Sequence, residues 1–443
     1  MRTFSRPGRV AMPLFGLLAT LGALPLLGQP GPETPPRPGR PPQLPPIQHP
    51  VRRPDSVLHR PIFTLASCSS PYLVEQKFPT SGAEETRWRI CWQDQTKHGL
   101  VITSAHFRKS PSSPWVRLFW DARVAEIFVP YHGNEARFQD VSEFNFVLHD
   151  LSAADCPAGK GGTLLGSPAK VCREVRDRGL AWKEHSLVRR GEELVLWGAL
   201  HAVNYDYVME WTFRDDGVVT GRVGATAVNY PYWPTVAHIH NPIWRLDIDL
   251  DGASGDSAHI GIHNENLPGP TATDSAVLIA KETGLEWNPT NFHTLSVHDA
   301  TLKNGKGHAT AYTLIPVRSG TARHQEDFTK RDFWITRYNG SELLAADYYG
   351  SGSLPKYVSN TEDVSNADIV VWYMGSIHHI PRDEDGECLH TVSGGGTVRV
   401  PDEQCDYRTP GPPPVFWKGT ALINWTGFVL MPHDLFDRTP LYP

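Results

Sequence analysis

The middle of the chain contains a strand followed by a turn, Tyr207-Val208-Met209-Glu210-Trp211-Thr212-Phe213 and then Asp215-Asp216-Gly217. The strand is rich in aromatic and β-branched residues and alternates apolar with polar positions, a pattern typical of a half-buried strand. Val195–Trp197 and Arg245–Leu250 have the same character, and further turn signals such as Asp251-Gly252 recur along the chain. Because long helical periodicity is rare, these features predict a mainly β fold, a large antiparallel β-sandwich.

The length and charge of the chain limit the classes of protein to consider. Its 443 residues are enough to bury a large core, in one large or two ordinary domains. The net charge is −6 and there is no long basic run. Nucleic-acid binding requires a concentrated positive surface, so nothing in the charge pattern points to it.

The N-terminal segment has the composition of a secretory signal. Arg2, Arg6 and Arg9 precede an apolar run from Met12 to Leu27, which is interrupted by glycine and proline. We expect residues 1–28 to be a signal peptide, and an uncleaved membrane anchor is the alternative. Prolines dominate residues 29–56, which predicts an extended linker. The folded domain is then expected over 57–443, in a secreted protein, either extracellular or periplasmic.

The six cysteines form three couples that are close in sequence: Cys68 with Cys91, Cys156 with Cys172, and Cys388 with Cys405. An even number of cysteines after a signal peptide favours disulfides formed in an oxidising compartment. Six cysteines allow 15 connectivities, so pairing by nearness is one hypothesis, and free buried thiols are another. The chain has no Cys-x-x-Cys motif, which argues against a thiolate zinc site.

Three histidines could form a metal site. On a strand, side chains two residues apart point to one face, so His238 and His240 can direct two imidazoles at one ion. Imidazole suits copper, zinc, iron or nickel, although an isolated His-x-His pair is usually incidental. His379 lies in a second strand-like run and could supply a third ligand. The adjacent His378 should face the other way.

Two further patterns carry less information when read alone. Asp247 and Asp249 also share a strand face, and Asp368 precedes another strand at Ile369–Tyr373. Carboxylates and carbonyls suit a hard cation such as calcium, but an exposed acidic strand face would give the same pattern. The run from Asn204 to Tyr207 predicts only a strand with two inward aromatic side chains.

Together these segments resemble the catalytic domain of the copper amine oxidases, over roughly Arg87 to the C-terminus. The family's cofactor motif is Thr-x-x-Asn-Tyr-Asp/Glu, and here it reads His201-Ala202-Val203-Asn204-Tyr205-Asp206. Other matching segments are Cys172-Arg173-Glu174 through Gly179-Leu180-Ala181-Trp182-Lys183, His238-x-His240 with Arg245-Leu246-Asp247, Val370-Val371-Trp372-Tyr373 to His378-His379-Ile380-Pro381-Arg382, Gly427-Phe428 to Thr439-Pro440, Val129-Pro130-Tyr131, and Asp140-Val141-Ser142-Glu143-Phe144-Asn145.

The resemblance implies a role for each matching position. Tyr205, preceded by Asn204, would be the precursor of a topaquinone cofactor, and Tyr131 would hydrogen-bond and position the quinone. His238, His240 and His379 would bind copper. The calcium-type site would comprise Asp247, Asp249 and Asp368 with the carbonyls of Ile248 and Ile369. Asp140 would be the catalytic base, with Asp150 as a competing choice.

The activity implied is oxidation of primary amines by O₂ and water to aldehydes, ammonia and hydrogen peroxide. A homodimer is also implied. Three departures bear on the substrate pocket: His201 replaces the motif threonine, and Ser142 and Asn145 replace two glycines of the base motif. Two other functions stay open, namely an inactive copper-binding relative and a zinc-dependent hydrolase that uses the same histidines.

Overall fold

The structure is a computed structural model, and it describes residues 68–131, 136–202, 204–230, 236–262, 275–288, 293–317, 324–382, 388–392, 396–400, 419–420, 424–438 and 440. The predicted signal peptide and proline-rich linker lie outside these residues, as does Cys405. Every described residue falls within the predicted domain 57–443.

Strands make up most of the regular structure. Those found in the described residues, in chain order, are β1 (Leu73–Phe78), β2 (Thr86–Gln95), β3 (Gly99–Arg108), β4 (Val116–Pro130), β5 (Arg137–Gln139), β6 (Val147–Leu148), β7 (Thr163–Gly166), β8 (Ala169–Glu184), β9 (Leu187–Ala202), β10 (Tyr205–Arg214), β11 (Val219–Val228), β12 (His238–Ile248), β13 (Asp256–Ile262), β14 (Ser275–Leu278), β15 (Thr283–Leu285), β16 (Thr294–Lys303), β17 (Ala309–Val317), β18 (Phe333–Arg337), β19 (Ile369–Met374), β20 (Ile377–His379), β21 (Cys388–Val392), β22 (Gly396–Val400), β23 (Gly419–Thr420) and β24 (Trp425–His433).

Helical structure is short in the described part of the chain. One α-helical turn, α1, spans Leu354–Tyr357, and 3-10 turns occur at Ala158–Lys160, Asp327–Thr329 and Val358–Asn360. Among the described residues, no helix has the length and apolarity needed to cross a membrane.

The strands assemble into two large sheets and one hairpin, and the pairings are antiparallel. The first sheet has ten strands in the order β1-β2-β3-β4-β12-β19-β18-β15, with β20 beside β12 and β5 beside β4. The second has twelve, in the order β14-β13-β16-β17-β24-β11-β10-β9-β8-β7, with β23 beside β11 and β6 beside β9. Within the described ranges, β21 and β22 pair with each other and with no further strand. The predicted antiparallel β-sandwich is confirmed.

The main core lies between the two sheets, and the alternation in β10 shows how the sequence builds it. Tyr207, Met209, Trp211 and Phe213 are all buried and belong to one large apolar cluster. A second cluster covers the outer face of the first sheet, where Trp372 packs with Phe328 and Leu354. Strands β12 and β19 are therefore buried on both faces, and β12 carries two of the histidines described below.

Two of the three predicted disulfides are present. Cys68 bonds to Cys91 with a Cα–Cα distance of 6.1 Å, and Cys156 bonds to Cys172 at 5.6 Å. Both distances lie within the range that a disulfide requires. Pairing by sequence nearness is confirmed for these two couples, and the alternative of free thiols is wrong for them. The third pairing, Cys388 with Cys405, remains a prediction because Cys405 is outside the described residues.

Candidate functional site

Three buried histidines converge at the ends of β12 and β20. His238 Nε2 lies 3.1 Å from His240 Nε2 and 3.3 Å from His379 Nδ1. The three rings present one nitrogen each within a common space of 4.8 Å. The structure thus brings together the three metal ligands predicted from the sequence.

Strand register explains this convergence. β12 pairs with β20 so that His238 is directly opposite His379. His240 lies two residues further along β12 and therefore points to the same face as His238. His378 is exposed whereas His379 is buried, which confirms that only one of the adjacent histidines turns toward the site.

Burial keeps the ligand histidines in the form that binds metal. Burial lowers the pKa of His238 to about 4 and lowers the pKa of His240 well below its usual range. Both rings are therefore neutral at pH 7, as an imidazole ligand must be. His238 Nδ1 lies 2.8 Å from the Val236 carbonyl, so this nitrogen donates its proton there and leaves Nε2 for a metal. The three imidazoles converge, two of them are neutral, and the tautomer of His238 is set by its hydrogen bond. This arrangement fits a copper ion.

Tyr205 points directly into the histidine cluster. Its hydroxyl lies 3.1 Å from His238 Nε2 and 3.2 Å from His379 Nδ1. Tyr205 is the first residue of β10, and Asn204, just before it, lies in the turn after β9, where its amide donates to the Ala202 carbonyl. The ring is buried, and burial raises the pKa of Tyr205 above its usual range.

Two neighbours hold the Tyr205 hydroxyl. Tyr131 donates a hydrogen bond to it, and the backbone amide of Tyr230 donates another; both contacts oppose the effect of burial on the Tyr205 pKa. The Tyr131 ring also stacks on His238, with ring centroids 4.2 Å apart. Tyr131 therefore contacts both Tyr205 and His238, which is the placement expected of a residue that positions the Tyr205 ring.

Asp140 is buried beside the same cluster. Burial raises the pKa of its carboxyl to about 7, while a hydrogen bond from Tyr207 opposes that rise. The Tyr207 hydroxyl lies 2.6 Å from Asp140 Oδ2. Asp150, the competing choice for the base, has a side chain that is 66% exposed and pairs with Lys170 at 2.6 Å. The buried position therefore favours Asp140.

Tyr207 and Glu126 are site residues that sequence reasoning missed. The Tyr207 hydroxyl accepts from His240 Nδ1 at 2.9 Å and donates to Asp140, so one tyrosine joins the metal ligand to the carboxylate. The Glu126 carboxylate accepts hydrogen bonds from the backbone amides of Val141, at 2.8 Å, and Ser142, at 3.3 Å. It therefore stabilises the turn that carries Asp140. For Tyr207 a sequence signal existed: it lies two positions after Tyr205 on the same strand, so both side chains point to the same face.

Two of the three predicted calcium-type carboxylates are buried, and the third, Asp368, is half-buried. Asp247 and Asp249 are 1% and 2% exposed, so the alternative of an acidic surface strand is wrong. Asp249 forms an ion pair with Arg117 at 2.8 Å. The pKa of Asp256 is raised to about 9, first by burial and then by the nearby carboxylates of Asp249, Asp299 and Asp368. Asp249 and Asp368 thus lie close to a further buried carboxyl group. Ile248 ends β12 and Ile369 begins β19.

Comparisons with known proteins agree on one family. The copper amine oxidase enzyme domain matches residues 167–395, which is more than half of the chain. The chain is 24% identical to primary amine oxidase 2 of Arabidopsis thaliana, over 70% of this chain and 56% of that protein. It is 25% identical to the histamine oxidase of Arthrobacter globiformis, over 61% of this chain and 41% of that one.

Solved structures show the same fold. The copper-containing benzylamine oxidase of Hansenula polymorpha matches with a TM-score of 0.59 and 17% identity, over 84% of this chain and 62% of that one. The amine oxidase of Aspergillus nidulans matches with a TM-score of 0.60 and 16% identity, over 80% of this chain and 52% of that one. The chain spans 55% to 59% of the length of the first relatives it matches. On the family match and the shared fold, this chain is a member of the copper amine oxidase family.

Proposed function

We propose that the protein is a primary-amine oxidase that uses copper and a topaquinone derived from Tyr205. The observation that carries this proposal is the position of the Tyr205 hydroxyl, 3.1 and 3.2 Å from nitrogens of His238 and His379. A metal held by these imidazoles would lie directly beside the tyrosine. Such contact is what conversion of the ring by metal and O₂ requires.

His238, His240 and His379 would hold the copper. Copper, when bound, would supply the chemistry with O₂, and the quinone, once formed, would supply a carbonyl group and accept two electrons from the amine. The protein's own contribution begins with Tyr131, whose hydroxyl donates to Tyr205 and fixes the direction of that ring. The same contact would hold the ring of the finished cofactor in a single orientation.

Asp140 would remove the proton from the carbon next to the substrate nitrogen. A general base works best when its pKa is near the working pH, and burial gives Asp140 a pKa of about 7. Its charge is close enough to Tyr205 to raise the pKa of that group. Tyr207 donates its hydroxyl proton to one carboxylate oxygen, Oδ2, and so fixes the orientation of the Asp140 side chain.

The alternatives fit the site less well. A zinc hydrolase needs a metal position open to water, and here the Tyr205 hydroxyl lies against the histidine nitrogens. An inactive copper-binding relative would be supported by loss of the base or of the tyrosine. Both residues are present, and both are buried beside the metal ligands.

Three further properties are part of the proposal. We expect calcium at Asp247, Asp249 and Asp368, supported by the burial of the first two and by the closeness of Asp249 and Asp368 to the buried Asp256. We also propose export from the cytoplasm, which the two disulfides support because such bonds persist in oxidising compartments. Finally, we propose a homodimer by analogy with the family.

Peroxide release tests the proposed activity. The copper-loaded chain is mixed in air with methylamine, benzylamine, phenylethylamine, putrescine or histamine, and peroxide and ammonia are measured together. We expect at least one primary amine to give both products in equal amounts, and the matching tertiary amine to give neither. Copper-loaded protein with a modified Tyr205 that yields no peroxide from any primary amine would contradict the proposal.

A further inference from the structure

A second group of metal-ligating side chains lies on the outer face of the twelve-stranded sheet. It consists of His149, His201 and Asp206, and we call it the outer triad. His201 in β9 is the direct cross-strand partner of Asp206 in β10, so both side chains project from the same face. β6 pairs with the other edge of β9, and the His149 amide donates to the Ala199 carbonyl at 2.8 Å, which brings His149 alongside.

The three side chains converge on one point. His149 Nε2 lies 2.7 Å from Asp206 Oδ1, and His201 Nδ1 lies 3.1 Å from the same oxygen. The two imidazole rings are 4.6 Å apart between centroids, and the three ligand atoms lie within 4.8 Å of one another. In a tetrahedral zinc site with bonds of about 2.0–2.1 Å, neighbouring ligand atoms are roughly 3.3 Å apart. A small outward movement would therefore admit an ion.

We propose that the outer triad is a second metal site, which takes a divalent cation of the zinc class. Two imidazoles and one carboxylate form a ligand set that zinc uses in open sites, with water in the remaining position. The side chains of His149 and His201 are 40% and 50% exposed, so solvent can reach the ion and complete its coordination. The carboxylate of Asp206 is a preferred partner for a cation.

An ordinary ion pair explains the arrangement less well. His308 and Asp434 form such a pair at 3.2 Å, with one histidine to one carboxylate. In the outer triad two histidines face the same carboxylate oxygen. A surface ion pair contributes only about 0–1 kcal/mol to stability, so ion pairing alone gives little reason for a second histidine at Asp206. Convergence of three donors on one point is what a metal requires.

The outer triad is separate from the copper ligands. In β10, Asp206 lies between Tyr205 and Tyr207, and alternation places its side chain on the opposite face of the sheet. Tyr205 and Tyr207 point into the core, toward the three ligand histidines. The two sites share no ligand, so the inference does not rest on the proposed oxidase activity.

Equilibrium dialysis against zinc tests the site. The copper-loaded full chain is dialysed against zinc sulfate, and copper and zinc bound per chain are both measured by mass spectrometry. We expect one zinc in addition to the retained copper. Removal of one ligand, in His149→Ala or His201→Thr, should weaken zinc binding at least tenfold, in line with the losses seen on disturbing metal sites. His308→Ala is the matched control and should bind zinc like the parent.

Three results would overturn the inference. One is no zinc bound beyond the copper; another is zinc bound only as copper is lost, which would place it at the first site. The third is unchanged zinc affinity in both ligand variants. Copper content and thermal unfolding of each variant show whether it has folded. His201→Thr introduces the residue of the family motif, and threonine suits a strand, so this variant should fold.

Discussion

At the scale of single residues, Asp140 sets the expected pH dependence of activity. The base must be a carboxylate, and burial raises its pKa to about 7. Amine oxidation should therefore rise with pH through about 7 and fall about tenfold per unit below it. Asp140→Asn should lower kcat by about 10²–10⁴-fold, the usual contribution of a general base. Steady-state rates across pH check this, with Asp150→Asn as the control that keeps the parent profile. Full activity in Asp140→Asn would rule out this assignment.

Tyr207 should affect both the base and the metal. Its hydrogen bond lowers the pKa of Asp140, so Tyr207→Phe should move the pH profile for activity upward. It also orients His240, and loss of such a partner usually costs about 10–100-fold in metal affinity. Competition with a chelator measures the affinity for copper.

Tyr312→Phe is the matched control for Tyr207→Phe. Tyr312 is a buried tyrosine that donates to the Gly217 carbonyl at 3.1 Å, and its loss should lower stability by about 1 kcal/mol. It should leave copper affinity and the pH profile unchanged. If both variants behaved alike, Tyr207 would have only a structural role.

At the scale of elements, Gly375 lies in the short link between β19 and β20, the strand that carries His379. A Cβ atom at Gly375 would lie 2.9 Å from Trp244 and 2.6 Å from Thr426 Oγ1, closer than packing allows. Gly375→Ala should therefore shift β20, lower the free energy of unfolding by about 1–3 kcal/mol and weaken copper binding. Denaturant titration and chelator competition test this. Gly159→Ala is the control, because no neighbour lies within 4 Å of its Cβ position. Equal behaviour of the two variants would contradict the prediction.

Strand patterns explain which parts of the site were predictable. Alternation along β12 predicted that His238 and His240 share a face, because that prediction needs only the local geometry of one strand. The contact from His240 through Tyr207 to Asp140 depends on the register and packing of separate strands. Glu126 is distant in sequence from the turn it holds, and burial of a carboxylate has no local sequence signal. The antiparallel fold was predictable because its strands and turns are marked locally; the strand order was not.

At the scale of the whole molecule, the disulfide between Cys156 and Cys172 fastens the loop before β8. Its sequence separation is 16, and a loop of this size corresponds to about 3 kcal/mol of stabilisation in the chain-entropy account. The double variant Cys156→Ser, Cys172→Ser should lose about that much free energy of unfolding in urea. β8 is two strands away from β10, which carries Tyr205, so copper affinity should stay unchanged. A loss of copper binding without a loss of stability would contradict this prediction.

The central claim is that Tyr205 becomes a quinone through the copper held beside it. The most direct test is to prepare the chain without copper, add copper in air, and record the visible spectrum before and after phenylhydrazine. We predict a quinone band that grows after copper is added and shifts with the hydrazine, and that is absent in Tyr205→Phe but present in Tyr312→Phe. Copper bound at one equivalent with no band in the parent chain would contradict the claim and favour a copper-binding protein without oxidase activity.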